Sequence, residues 1–193
     1  MKLLIAAAAA IATLQTQSTL AQDVNVFVTS QTFTGDLGGV VGADAICQEL
    51  ACSAGLTGNY KAWLSDSSSS PANDFDQGTA YSLVDGTAIA NSFADLTDGS
   101  LLNPINKDET GSTPSGPSFV WTNTNVNGTP SGNDCEGWTS NDVGKVGSVG
   151  QRTATDIGWT ATLTLGGTIS CNTLAKLYCF QQGFTGMNVF LGD

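Results

Sequence analysis

The chain contains no histidine. Serine–histidine and cysteine–histidine catalytic pairs are therefore excluded, as are histidine-containing zinc sites. Cations are scarce as well: six Lys and Arg face seventeen Asp and Glu, for a formal net charge of −11. Nucleic acid and anionic membrane surfaces both call for positive charge on the protein, so neither is an expected partner. Beyond the N-terminus no apolar run is long enough to cross a bilayer, and no membrane insertion is expected. There is no Gly-x-Ser-x-Gly elbow, and no spacing singles out a carboxylate pair of the glycosidase kind. These absences predict a protein that is not an enzyme and has no catalytic residues.

What is present starts with an export signal. In "MKLLIAAAAAIATLQTQSTLAQ", Lys2 precedes an apolar run from Leu3 to Leu14, and Thr19 and Ala21 supply small residues at a cleavage site. This order predicts a signal peptide over 1–21, one domain over 22–182 and a tail over 183–193, in a protein that is secreted, extracellular or periplasmic. Abundant Gly, Ser, Thr and Asn point to a loop-rich domain. Export decides how the five cysteines are read, because in an oxidising compartment they are disulfide partners first. A redox pair would have two intervening residues, whereas Cys171 and Cys179 in "CNTLAKLYCF" have seven. Zinc would want paired short spacings, which are absent. Both cysteines are read as structural.

The pattern of elements is strand-dominated. "VNVFVTS" (24–30) alternates as a strand should, and "ADAICQELACSAG" reads as a helix with Ala43, Ile46, Cys47, Leu50 and Ala54 on one face and Gly55 as its stop. "YKAWLS" (60–65) is a second strand, "YSLVDGTAIA" a hairpin turning at Asp85-Gly86, and 91–116 mostly loop. "FVWT" (119–122) is a short strand followed by a polar loop, and "CEGWTS" begins the next strand. "IGWTATLTL" (157–165) shows the longest alternation, with Thr160, Thr162 and Thr164 in a row on the solvent face. "LAKLYCF" closes the sheet. The sum is one α+β domain: a twisted antiparallel sheet, one main helix and long loops.

The segments "NDCEGW" and "SCNTLAKLYCF" resemble the C-terminal half of C-type lectin-like domains. A longer resemblance runs through "VFVTSQTFTGDLGGVVGADAICQ", "AGLTGNYKAWLSDSSSSPA", "DGSLLNPIN" and "VWTNT…DCEGWTS…LYCF". These blocks look like a secreted bacterial family, domain-of-unknown-function family 1554, which is grouped with the C-type lectin and endostatin folds. The resemblance implies a disulfide-stapled, endostatin-related fold with Cys47 bonded to Cys179 and Cys135 to Cys171. The residues agree with the first pair, since Cys47 lies on the apolar helix face and Cys179 in an apolar strand. Closing so long a loop stabilises a fold by roughly 4–5 kcal/mol on the chain-entropy account. Cys52 stands about 140° around the helix from Cys47. It is expected to be unpaired within the monomer, either packed under a loop or available for a disulfide-linked dimer.

By analogy with lectin-like domains, the resemblance implies a binding or adhesion module for a glycan or an extracellular protein. The candidate ligand-binding residues are Trp121, Asn123, Asn125, Asn127, Asp134, Glu136 and Trp138, around the loop 123–134. An exposed Trp beside amides and carboxylates would stack on a sugar ring, although core aromatics account for the same residues. The loop lacks the Glu-Pro-Asn and Asn-Asp ligands of sugar-binding C-type lectins, so the usual Ca²⁺-dependent sugar site is not expected. No cofactor is required. Asp95, Asp98 and Asp108 are the candidate Ca²⁺ ligands, with solvated loop carboxylates as the plainer reading. The competing readings are a structural or self-associating envelope or matrix protein, a glycan-active enzyme, and ice binding through the Thr row.

Overall fold

The alternation in the first strand is used twice over, because the sheet it enters is buried on both faces. A computed structural model describes residues 23–183. The expected signal peptide and residues 184–193 of the tail lie outside the described residues. In chain order the elements are β1 (Val24–Val28), α1 (Gly39–Ser53), β2 (Asn59–Ala62), α2 (Pro71–Asp74), β3 (Tyr81–Leu83), β4 (Ala88–Ala90), α3 (Phe93–Leu96), β5 (Phe119–Trp121), β6 (Val146–Gln151), β7 (Thr168–Ser170) and β8 (Tyr178–Gln182). Val24, Val26 and Val28 of β1 pack with Trp63, Phe75, Phe93, Trp159 and Phe180. Phe27 points the other way, into a cluster with Ala43, Cys47, Leu50, Trp121 and Trp138.

The fold is α+β with two sheets rather than the single antiparallel sheet expected. One has the order β2-β8-β1-β3-β4 and the other β5-β6-β7. β1 and β3 run parallel, from Val24↔Tyr81 to Val26↔Leu83. The connection between them holds α1 and β2, long enough for the crossover a parallel pair needs. The last strand enters between two early ones, with Val26↔Phe180 on one side and Ala62↔Cys179 on the other. α1 buries Ala43, Cys47, Leu50 and Ala51, and Gly55 follows it at φ 75°, a conformation that suits glycine after a helix end.

Two disulfides staple these parts. Cys47–Cys179 ties α1 to β8 across 132 residues, and Cys135–Cys171 spans 36. The second needs space: a Cβ at Gly147 would stand 2.8 Å from Cys135 Sγ, so β6 carries a glycine there. Cys52 is unpaired among the described residues and exposed, not packed under a loop. No described helix is long and apolar enough to cross a membrane.

Three expectations are corrected. The segment 157–165 forms no strand; it contains 3₁₀ turns at Ile157–Trp159 and Thr164–Gly167. Asp156 starts the first of them by accepting the Gly158 N–H, and Trp159 turns inward. Thr160 and Thr162 are buried, so the Thr row is no solvent face and forms no ice-binding ladder. "CEGWTS" is likewise not a strand: Cys135–Trp138 is a single helical turn. The strand next to it is β6, "VGSVGQ", whose glycines and serine hide it from a reading based on apolar alternation. The strand expected over 60–65 ends at Ala62.

The outer edge of β2 is closed by side chains of α1. Asp44 Oδ1 accepts the Ala62 N–H at 2.8 Å, and Gln48 Oε1 accepts the Tyr60 N–H at 2.9 Å. Residues one helical turn apart thus match N–H groups two residues apart on a strand, since ~5.4 Å of helix pitch is close to ~6.6 Å of strand. Burial of Asp44 raises its carboxyl above the ordinary value, against the lowering effect of the Ala62 N–H and of Lys61. A raised folded-state pKa means that this group's contribution to stability is full below the unfolded value and is lost as pH rises through the folded one. Asp44→Asn keeps the acceptor and removes the charge. Its stability relative to the parent should therefore improve from pH 4 to pH 7, measured by urea unfolding. Asp44→Ala leaves the buried Ala62 N–H without its partner and should lose about 1–2 kcal/mol at pH 7.

Candidate functional site

The loop after β5 is built on one asparagine. Asn123 sits at φ 43°, a left-handed conformation that asparagine tolerates better than most residues. Its side chain is buried and makes four hydrogen bonds. Nδ2 donates to the Ser65 carbonyl at 3.0 Å, while Oδ1 accepts from Ser131 Oγ, the Gly132 N–H and the Asn133 N–H at 2.8, 2.7 and 2.8 Å. One amide thus gathers the far end of the loop onto its beginning.

A buried polar network supports this hub. Trp138 Nε1 donates to the same Ser65 carbonyl, and the hydroxyls of Ser65 and Thr124 are 2.8 Å apart. Thr122 Oγ1 donates to the Thr160 carbonyl, Thr160 Oγ1 to the Thr124 carbonyl, and Trp63 Nε1 to Thr160 Oγ1. Buried hydroxyls paired in this way rigidify a core, whereas unpaired they would destabilise it. The alternation of 157–165 points Thr160 to solvent and gives no sign of this network, in which Thr160 is buried.

The loop leads into an unusual turn. Cys135, Glu136, Gly137 and Trp138 have φ of 50°, 60°, 68° and 63°, so the helical turn is left-handed. For residues other than glycine this costs roughly 1–2 kcal/mol each, and it persists because the neighbours hold it. Cys135 is bonded to Cys171, Trp138 packs edge-on against Trp121 at 5.7 Å, and the Trp138 carbonyl accepts the Leu37 N–H. Glu136 projects from the turn and pairs with Lys145 at 2.5 Å. The Lys145 ammonium holds the Glu136 carboxyl below its ordinary range.

The structure divides the expected ligand-binding residues into two groups. Trp121, Trp138 and Asn123 are interior. Neither Trp can stack on a sugar ring, and their indole N–H groups serve the Phe33 and Ser65 carbonyls. Asn125, Asn127 and Glu136 are exposed and Asp134 is half-buried. Asn125 donates to the Pro130 carbonyl and Asn127 accepts from the Thr129 N–H and hydroxyl, which fixes the shape of the loop tip. Lys145 joins this rim, and no spacing in the sequence connects it with Glu136.

Each candidate metal ligand has one carboxylate oxygen engaged by its sequence neighbours. Asp95 accepts from the backbone and side-chain N–H groups of Asn91, and Asp98 from Ser100. Asp108, which is buried, accepts from Thr110 and Ser112. Among the described residues no three Asp, Glu, Cys or His side chains come together as a metal-holding group.

Because Asn123 holds four bonds from a buried position, Asn123→Ala should cost about 3 kcal/mol. That lowers the melting temperature by roughly 10 °C for a domain of this size. The amides of Gly132 and Asn133 should lose protection from hydrogen exchange in the same variant, whereas Asn125→Ala should leave both measurements nearly unchanged.

No curated protein matches the chain. The family described as "Protein of unknown function (DUF1554)" matches residues 30–155, which takes in α1, both Trp of the interior pair and the whole Asn123 loop. The chain belongs to that family.

Proposed function

We propose that the protein is an exported binding module with a C-type lectin-like fold of the endostatin-related kind, and that its ligand is an extracellular protein. The helix-to-last-strand disulfide and the second bridge behind the long loop support the fold assignment. Two intramolecular disulfides support an oxidising compartment.

The observation that carries the binding role is the construction of the rim. Asn125, Asn127 and Glu136 stand exposed on a loop and a left-handed turn held by a buried network. A rim already ordered before contact loses little conformational freedom on binding. Backbone strain kept at an exposed turn is characteristic of recognition sites. Among the described residues no aromatic side chain stands among the exposed large apolar ones, and a protein surface suits the amides and the carboxylate better than a sugar ring does. With a net charge of −11 the favoured partner is basic, because complementary charge accelerates encounter and disfavours acidic competitors. Recognition in this reading needs no metal ion.

The test is a binding screen over extracellular proteins and glycans, with and without Ca²⁺. A basic protein should be retained, with affinity falling as salt rises. Combining Asn125→Ala, Asn127→Ala and Glu136→Ala should weaken that binding at least tenfold while leaving the melting temperature within about 2 °C. Retention on mannose or galactose resin that EDTA abolishes would instead establish a Ca²⁺-dependent lectin.

A further inference from the structure

The chain that follows β6 encloses a cleft of about 350 Å³, within the range of about 300–1,000 Å³ usual for ligand sites. Its apolar walls are Ala154, Ile157, Ala161 and Leu163. Ile157 is 46% exposed and Leu163 82%, so much of each side chain faces solvent rather than the interior. The segment that carries them is fixed from behind. Trp159 and Thr160 are interior, the Thr160 hydroxyl bonds the Thr124 carbonyl, and the Thr162 N–H bonds the Val149 carbonyl of β6. Gly150 belongs to the same fit, since a Cβ there would stand 2.0 Å from the Trp159 carbonyl oxygen. The walls are therefore set before any ligand arrives.

The polar groups of the cleft are few. Among the residues that line it Asp156 alone is charged, and none is basic. Asp156 Oδ1 accepts the Gly158 N–H at 2.9 Å. Asp156 Oδ2 and the side-chain amide of Gln151 have no hydrogen-bond or salt-bridge partner among the described residues. Gly158 leaves the carboxylate its place, because a Cβ at that position would stand 2.9 Å from Asp156 Oδ1. The cleft thus pairs aliphatic walls with one negative charge that is half committed.

We propose that this cleft takes a lysine side chain of the basic protein partner, its aliphatic stem along Ile157 and Leu163 and its ammonium on Asp156 Oδ2 and the Gln151 carbonyl oxygen. The proposal rests on the reading of a basic protein ligand and names the residue type by which that ligand is held. Charge sets the class: an anionic group would meet the Asp156 carboxylate with no cation in the lining to offset it. The walls carry no aromatic ring, so an aromatic ligand has nothing to stack on. Arginine is less suited than lysine. Its planar fork bonds best to both oxygens of a carboxylate, and one of these already serves Gly158. An ammonium is a compact charge with rotatable donors and needs a single open oxygen. The lysine stem covers apolar surface while its head stays near water, which suits aliphatic walls beside an exposed carboxylate. A neutral aliphatic side chain would cover the walls and gain nothing from Asp156.

The test titrates the full mature chain with Nα-acetyllysine methylamide and follows the NMR shifts of the Gln151, Gly158 and Thr162 amides. This probe should bind about fivefold more tightly than the matching norleucine derivative, with the arginine derivative between them, and the preference should shrink as salt rises. Asp156→Asn keeps an acceptor for the Gly158 N–H. It should abolish the preference for lysine over norleucine and leave the melting temperature within about 2 °C. Leu163→Ser should weaken the lysine and norleucine derivatives by the same factor, since both lose the same wall. Unmoved amides at every probe concentration overturn the proposal, as does equal affinity for lysine and norleucine, or a preference that survives Asp156→Asn. The two readings fail separately. If the probe binds as described and no basic protein is retained, the lysine site stands and the basic protein ligand does not. If a basic protein is retained equally by the parent, Asp156→Asn and Leu163→Ser, the ligand stands and the lysine site does not.

Discussion

The position of β8 governs everything else in the molecule. The last strand fits between β2 and β1, so the five-stranded sheet stays open until the end of the chain arrives. Bringing Cys179 to Cys47 orders a segment spanning 132 residues in sequence, and such closure costs entropy that only completed packing offsets. The packing is there: Phe180 meets Trp63, Phe75 and Tyr81 on one face, while Cys179 enters the cluster beneath α1 on the other. The disulfide then removes much of the conformational freedom the unfolded chain would regain, worth about 4–5 kcal/mol on the chain-entropy account. A chain with 23 glycines and many loops has need of that constraint.

What was legible in the sequence follows from where polar atoms go. β1, α1 and the hairpin at Asp85-Gly86 were readable, because apolar residues there line the core at the period of their own element. The stretch 157–165 was misread for the opposite reason. Its threonines alternate with apolar residues as if facing water, yet Thr160 and Thr162 are interior, and Thr160 bonds Trp63 and the Thr124 carbonyl. β6 was invisible because Gly147 and Gly150 occupy places where neighbours leave no room for a side chain: Cys135 and Trp121 at the first, the Trp159 carbonyl at the second. Periodicity reports burial of apolar groups and is silent about hydroxyls satisfied inside.

The same principle divides the candidate site. Trp121 and Trp138 were the chemically conspicuous residues, and they are the ones the fold consumes. Each is buried, and each indole N–H serves a carbonyl needed to hold a connection, Phe33 before α1 and Ser65 after β2. Asn123 looked like one more polar loop residue but is the hub, since a side-chain amide offers both a donor and an acceptor that can take several bonds. Only the less conspicuous Asn125, Asn127 and Glu136 remain at the surface. Of their partners, Thr129 and Pro130 are sequence neighbours, at the spacing of an Asx turn and its loop, whereas Lys145 lies beyond the disulfide-bonded turn and no spacing connects it with Glu136.

Lys176 shows how the two sheets are made one structure. Its backbone pairs with β5, and its ammonium, fully buried, donates to the carbonyls of Thr29 and Ser30 just past β1. Desolvation lowers its pKa, with Arg152 acting in the same direction and Glu109 and Asp108 opposing. Glu109 in turn accepts the N–H and hydroxyl of Ser30, so the carboxylate and the ammonium hold the same short segment from two sides. A buried charge is a poor source of net stability compared with a well-packed apolar side chain. What it supplies is direction: three N–H donors placed at a junction where two carbonyls would otherwise lack partners. An apolar residue there would fill the volume and leave both acceptors unpaired. The junction fixes β5 relative to β8, β5 fixes the start of the Asn123 loop, and the geometry of the rim therefore depends on one buried lysine at the junction of the two sheets.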